Sequence, residues 1–320
     1  MALDGRDRQV GFIISHQRSG STYLRTCLNR LDDVVAPSES HFLLDYYRHG
    51  SLQTDTAALQ AMIQSHRRLI HWRMDRLADY CEALDVPDFF FDLLADQDPE
   101  HAPRVVLDKT PEYLDIIHTL ARDFPDAKFI LLIRNGIDVV LSLESRGWQG
   151  PFQENRMQYW NAGCRAMVSL AHRLGPDRCL TLRYEDVMGS PKDVASSLSD
   201  FLGIAVRTAD LVPKPEVAAD FTETERVLGI HKALAAGRKL DRRRQNLLSP
   251  ADRDYMTACM GEMLYAFGYI EEPRARTLAQ RLRFASLRML GNLARYIPER
   301  PARVLAQIRR KYVPKRADID

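Results

Sequence analysis

The chain is expected to fold as a three-layer α/β structure, with a central, mainly parallel sheet flanked by helices. Three observations carry this. Residues 10–31, VGFIISHQRSGSTYLRTCLNRL, run from an apolar strand through a polar, glycine-containing loop into a helix. Residues 104–146 then alternate strand, helix, strand and helix, the pattern of a parallel sheet covered by helices. The 320 residues are 45% hydrophobic, enough to bury one sizeable core carrying helical insertions.

Each element has a local reason. Val10–Ser15 is short, apolar and β-prone. Leu24, Cys27, Leu28 and Leu31 then recur at helical spacing, with Ser21 or Thr22 as the expected N-cap. Val105–Leu107 is a second strand. Glu112–Phe124 reads as one helix, with Leu114, Ile117, Leu120 and Ala121 on one face. Lys128–Ile133, with FILLI at its centre, is a buried strand, and Ile137–Ser145 begins another helix. Gln153–Leu174 is a long helix whose Trp160 and Met167 are assigned to the core. Arg178–Tyr184 is a strand ending in R-Y-E-D. Pro191–Leu202 is an amphipathic helix closed by Gly203.

A strand, a tight loop and a helix N-terminus in that order gather unpaired backbone N–H groups and the positive end of the helix dipole at one point. Arg18, Ser19, Ser21 and Thr22 add side-chain donors around Gly20. The expected ligand is therefore anionic. The loop is not GxxxxGK[ST], because no Lys follows Gly20.

The run Q-R-S-G-S-T resembles the 5′-phosphosulfate loop of sulfotransferases that use 3′-phosphoadenosine-5′-phosphosulfate (PAPS). The resemblance covers roughly residues 10–270 and implies a P-loop-like fold. It makes Arg18, Ser19, Gly20, Ser21 and Thr22 the phosphosulfate cradle. It also assigns the 3′-phosphate to Arg134, at a strand end, and to Ser142, eight residues later. Arginine suits that role because its planar fork of donors matches phosphate.

Glu39, in E-S-H-F, is similar in context to the general base of the glycosaminoglycan enzymes of this family. A neutral alcohol is a poor nucleophile, so the chemistry needs such a base. His41 is the rival and His16 a weaker one. Lys109, in L-D-K-T-P, resembles the lysine that neutralises the bridging oxygen as the sulfuryl group leaves, with Arg18 sharing that work. Asp108 stands where the family usually has Glu. Tyr184 is implied near the adenosine or, equally, in the core. The basic run 237–246 offers Arg238 and Arg242 to the nucleotide, although the G-x-W motif of the cytosolic enzymes is missing. The resemblance implies no metal.

The organisation expected is a sulfotransferase domain over 1–273, with a helical insertion at 40–95 shaping the acceptor pocket, followed by a tail at 274–320. The whole chain is +2. The tail holds 13 Arg or Lys against three acids, so it is +10 and residues 1–273 are −8. Leu278, Leu282, Ala285, Met289, Leu293 and Tyr296 follow helical spacing in the tail, with Arg281, Arg288 and Arg295 on another side. Such a helix suits an anionic membrane surface. It also suits docking on the acidic body of its own domain or of a partner subunit. Nucleic acid is the least expected partner.

There is no run of 18 apolar residues, no signal-peptide core and no Asn-x-[Ser/Thr] sequon. The five cysteines are widely spaced, without a CxxC or zinc pattern, and read as reduced thiols. A cytoplasmic enzyme, peripheral at the inner membrane face if the tail binds lipid, is the expectation. The acceptor is expected to be a hydroxyl of a carbohydrate or glycolipid, with small molecules and peptidyl tyrosine open. Two other classes stay open, a P-loop-like ATP-dependent kinase and a non-catalytic nucleotide- or membrane-binding module.

Overall fold

The computed structural model describes residues 8–48, 86–98, 103–212 and 248–293. By internal contacts the chain divides into two compact units, Met1–Arg134 with Ala166–Arg242, and Asn135–Arg165 with Arg243–Asp320. The division at 273/274 stays a proposal from composition.

Among the described residues the first unit holds five parallel strands: β1 (Gln9–Ser15), β2 (Val34–Val35), β3 (Val105–Asp108), β4 (Lys128–Ile133) and β5 (Cys179–Arg183). Their order is β2-β3-β1-β4-β5. The register sets Phe12 beside Asp108 on one side and Phe129 on the other, and sets Ile133 beside Arg183. Phe12, Ile13 and Ile14 of β1 and Phe129 to Ile133 of β4 are fully buried, which is why both strands read as continuous apolar runs. The chain leaves β1 toward β2 on one side and reaches β4 on the other. The loop after β1 therefore sits at the topological switch point, where open α/β sheets bind ligands beyond the strands' carboxyl ends.

Two packed layers hold the sheet. Phe12 meets the rings of Phe91, Tyr113, Phe124 and Phe129 with centroids 5.2–6.1 Å apart. Ile13, Ile130 and Leu132 instead join a cluster with Leu24 and Leu28 of α1 (Ser21–Leu28) and with Val194, Leu198 and Phe201. Helices α2 (Phe42–Arg48) and α3 (Val86–Ala95) are the described parts of the expected 40–95 insertion.

Three expectations are corrected. The N-cap of α1 is Gly20, not Ser21 or Thr22. Gly20 adopts φ +90°, so the helix begins one residue earlier and both hydroxyls stay off capping duty. Glu112–Phe124 is not one helix: a 3₁₀ segment, Pro111–Ile116, precedes α4 (Ile117–Asp123). Proline fixes the start, and the tighter winding buries Tyr113 and Leu114. Tyr184 does not end β5 but opens α7 (Tyr184–Gly189). Helix α8 (Pro191–Leu202) has the bounds read from sequence, closed by Gly203 at φ +65°.

The second unit contains α5 (Gly136–Glu144), α9 (Pro250–Ala266) and α10 (Leu278–Leu293). The boundary between units falls within α6 (Gln153–Leu174), whose Trp160 and Met167 are buried as expected. Asn135 caps α5 by accepting from the Ile137 amide, and Asn161 donates to the Cys259 carbonyl at 3.0 Å.

Candidate active site

The carboxyl ends of β1, β3, β4 and β5 deliver the loop 16–20, Lys109, Arg134 and Tyr184. The loop turns through two left-handed residues, Arg18 at φ +70° and Gly20 at φ +90°. The Ser19 amide donates to the His16 carbonyl. Arg134 Nη1 donates to the Arg18 carbonyl at 3.2 Å, and its guanidinium lies over the Tyr184 ring, 4.8 Å from the centroid. That ring occupies the place of any side chain at position 20: a Cβ there would come within 2.3 Å of it. Tyr184 is thus both a core residue and the wall of the loop. Ser19 is fully buried, yet its Oγ has no hydrogen-bond partner among the described residues. A buried orphan hydroxyl beside the first turn of α1, whose leading N–H groups have no intrahelical partner, fits an anionic group seated on this loop.

Lys109 follows β3 and is 1% exposed. Its Nζ donates to Thr22 Oγ1 at 3.1 Å and to Glu39 Oε1. The segment leading to Glu39 is tied to the end of α1 at Ala36: Arg25 donates to the Ala36 carbonyl, and Asn29 Oδ1 accepts from the Ala36 amide. The second Glu39 oxygen meets His41 Nε2 at 3.3 Å. Burial alone would raise the Glu39 carboxyl, but the Lys109 charge and the contact with His41 outweigh it and hold the group far below the usual carboxylate range. In this arrangement Glu39 is an ionised but weak base.

Asp108 pins these pieces together. It accepts from Ser40 Oγ at 2.8 Å and from Thr110 Oγ1 at 3.2 Å, while Tyr113 reaches Ser40 Oγ and accepts from the Leu43 amide. Complete burial pushes the Asp108 carboxyl up to about 6, against the hydrogen bonds from Ser40, Tyr113 and Thr110. Asp108 and Lys109 are therefore not a surface ion pair; both are buried and they serve different partners.

The sequence reading missed Glu112 and Gln17. Glu112 Oε2 lies 3.7 Å from His41 Nε2, and Gln17 Nε2 donates to Glu112 Oε1 at 2.8 Å. Their separation of 95 residues gave no local signal; only the meeting of β1 and β3 in the sheet brings them together. Glu39, His41 and Glu112 place one ligand atom each within 4.8 Å of one another, the set a cation would use here. The Lys109 ammonium already takes one Glu39 oxygen. His16 is buried below the loop.

Of the other expected residues, Ser21 is buried in the first turn of α1, and Ser142 is buried on α5 in the second unit. Arg238 and Arg242 lie outside the described residues.

A model of the sulfotransferase family matches residues 12–208, and the chain belongs to that family. The match takes in the loop, Glu39, Lys109, Arg134, Ser142 and Tyr184. Among relatives, the nodulation protein NoeE of Sinorhizobium fredii (strain NBRC 101917 / NGR234) is 31% identical over 161 residues, covering 49% of this chain and 36% of that protein. Protein-tyrosine sulfotransferase 2 of Gallus gallus is 26% identical over 214 residues, covering 64% and 55% respectively. The chain thus spans about half or less of the length of these two relatives. The sulfotransferase domain of the Synechococcus PCC 7002 olefin synthase shares the fold, with a TM-score of 0.57 at 22% identity over 84% of this chain and 98% of that one.

Proposed function

We propose that this chain is a PAPS-dependent O-sulfotransferase acting on a hydroxyl of a carbohydrate or glycolipid. The observation that carries the reading is Lys109, whose ammonium bridges the candidate base Glu39 and the loop residue Thr22. PAPS would supply the sulfuryl group, its 5′ end held by Arg18, Ser19, Gly20, Ser21 and Thr22 and its 3′-phosphate by Arg134 and Ser142. Arg238 and Arg242 are proposed to neutralise the nucleotide further. The Ser19 hydroxyl and the Tyr184-walled turn at Gly20 support the loop assignment.

Glu39 takes the proton of the acceptor hydroxyl. It does so only once Lys109 turns its charge from Glu39 toward the loop, because that charge is what keeps the carboxylate a weak base. The same movement puts a cation where negative charge builds up on the departing side, a task Arg18 is proposed to share. One lysine thereby makes deprotonation of the acceptor wait for a filled loop. Positioning and electrostatics do the work.

The carbohydrate or glycolipid acceptor rests on the E-S-H-F context of Glu39. A peptidyl tyrosine is the second reading, favoured by the 26% identity to the chicken protein-tyrosine enzyme. A cytoplasmic location rests on Cys27, Cys164, Cys179 and Cys259, all buried free thiols.

Calorimetric titration with 3′-phosphoadenosine-5′-phosphate, with ADP and ATP as controls, tests the donor. Micromolar binding, about −8 kcal/mol, that needs the 3′-phosphate and weakens in Arg134→Ala is expected. A preference for ATP would overturn the reading.

A further inference from the structure

We propose that α10 is a membrane-surface element whose outward face seats on an anionic bilayer. Leu278, Leu282, Ala285, Met289 and Leu293 recur at spacings of four, three, four and four, so they share one stripe of the helix. Docking of this stripe on the protein's own body was one expectation from sequence. Within the second unit the stripe is exposed: Leu278 is 73% exposed, Leu282 61%, Met289 63% and Leu293 50%. Five of the nine exposed large apolar side chains among the described residues lie on this one helix.

The opposite side of the helix is already engaged within the second unit. Phe284 and Gly291 are buried there. The Arg276 guanidinium covers the Phe284 ring at 4.7 Å, and Arg283 covers Tyr255 at 4.1 Å. Asn155 donates to the Arg288 carbonyl and to Asn292 Oδ1. The helix is thus fixed by one side and presents the other. No described helix is long and apolar enough to cross a membrane, so an in-plane seat is the geometry available.

Charge selects the occupant. Arg281 and Arg288 flank the stripe, both are exposed, and among the described residues neither side chain pairs with a carboxylate. The segment 274–320 is +10 overall. An apolar stripe edged by arginines whose charge no described carboxylate neutralises complements a layer that is apolar below and negative at its surface. An antiparallel second copy pressing the same face against itself would set arginine row against arginine row, which argues against that symmetric dimer.

The test uses the full chain in co-sedimentation with phosphatidylcholine vesicles, with and without phosphatidylglycerol. Binding that requires the anionic lipid and falls with added salt is expected. Leu282→Glu with Met289→Glu should abolish it. Arg281→Gln with Arg288→Gln should weaken it roughly thirtyfold, from about 1 kcal/mol per basic residue. All four positions are exposed, so circular dichroism should be unchanged. Failure to bind, equal binding to both vesicle types, or binding indifferent to both double variants overturns the proposal. A concentration-dependent dimer that becomes monomeric in the Leu282→Glu, Met289→Glu protein also overturns it and assigns the face to a second copy.

Discussion

Lys109 and Glu39, 70 residues apart in sequence, form a partly buried ion pair, and the same ammonium reaches Thr22 in the first turn of α1. Glu39 is the proposed general base, and a base locked to a cation is a weak one, so on that proposal the pair is a resting arrangement and not a reactive one. Glu39→Gln should therefore lower kcat at least a hundredfold, by an estimate for lost general-base catalysis, while nucleotide affinity stays within about threefold. Lys109→Met should lower kcat comparably. The double variant should be little worse than either single one, because the two groups act as a unit. Steady-state kinetics and calorimetry on the three proteins check this; additive losses would separate the two roles.

The sheet and the loop were legible because they rest on short-range pattern. The strand at 10–15, the β-α-β alternation and the Gly203 stop are all local signals. The glycine cap of α1 was not legible, since the Tyr184 ring that leaves no room for a Cβ at position 20 is distant in sequence. The site was half legible. Glu39 and Lys109 stood out by their motif context. Glu112, Gln17 and the bracing role of Asp108 depend on strand pairing that no spacing in the sequence encodes.

Glu112 and Glu39 approach the same His41 nitrogen, Nε2, at 3.7 and 3.3 Å, and Gln17 steadies Glu112 in turn. Glu112→Gln keeps the Gln17 side of this contact and removes the negative charge. If His41 orients Glu39 through that charge, kcat should fall about three- to tenfold, by analogy with other charge-assisted contacts, with KM for the donor unchanged. The pH profile of kcat should shift as well. A change in donor KM alone would place Glu112 in binding instead.

Asp108 gives a stability signature with a defined sign. Its folded carboxyl titrates at about 6 against an ordinary value of 3.8, so the folded state holds the proton more tightly. That contribution is complete below about pH 4 and is lost as the pH rises past about 6, a span worth on the order of 2–3 kcal/mol. Asp108→Asn carries no titrating group. The melting temperature of the wild type relative to the variant should fall as the pH is raised through this window, and then level off. Because Glu39 is common to both proteins, its opposite shift cancels in the difference.

Gly20 joins fold and chemistry most tightly. Its φ of +90° disfavours any residue with a Cβ, and an added methyl would meet the Tyr184 ring at 2.3 Å. Gly20→Ala must either push Tyr184 away or unwind the turn, at a cost of about 1–3 kcal/mol. Moving Tyr184 also removes the surface on which Arg134 stacks while that arginine holds the Arg18 carbonyl. The loop and the proposed 3′-phosphate ligand should therefore fail together. Tyr184→Ala should relieve the clash in the Gly20→Ala background, recovering part of the melting temperature but not nucleotide binding, because Arg134 would still lack its platform. Thermal melts and calorimetry on the two single variants and the double distinguish this from a merely misfolded loop, for which stability and binding would return together.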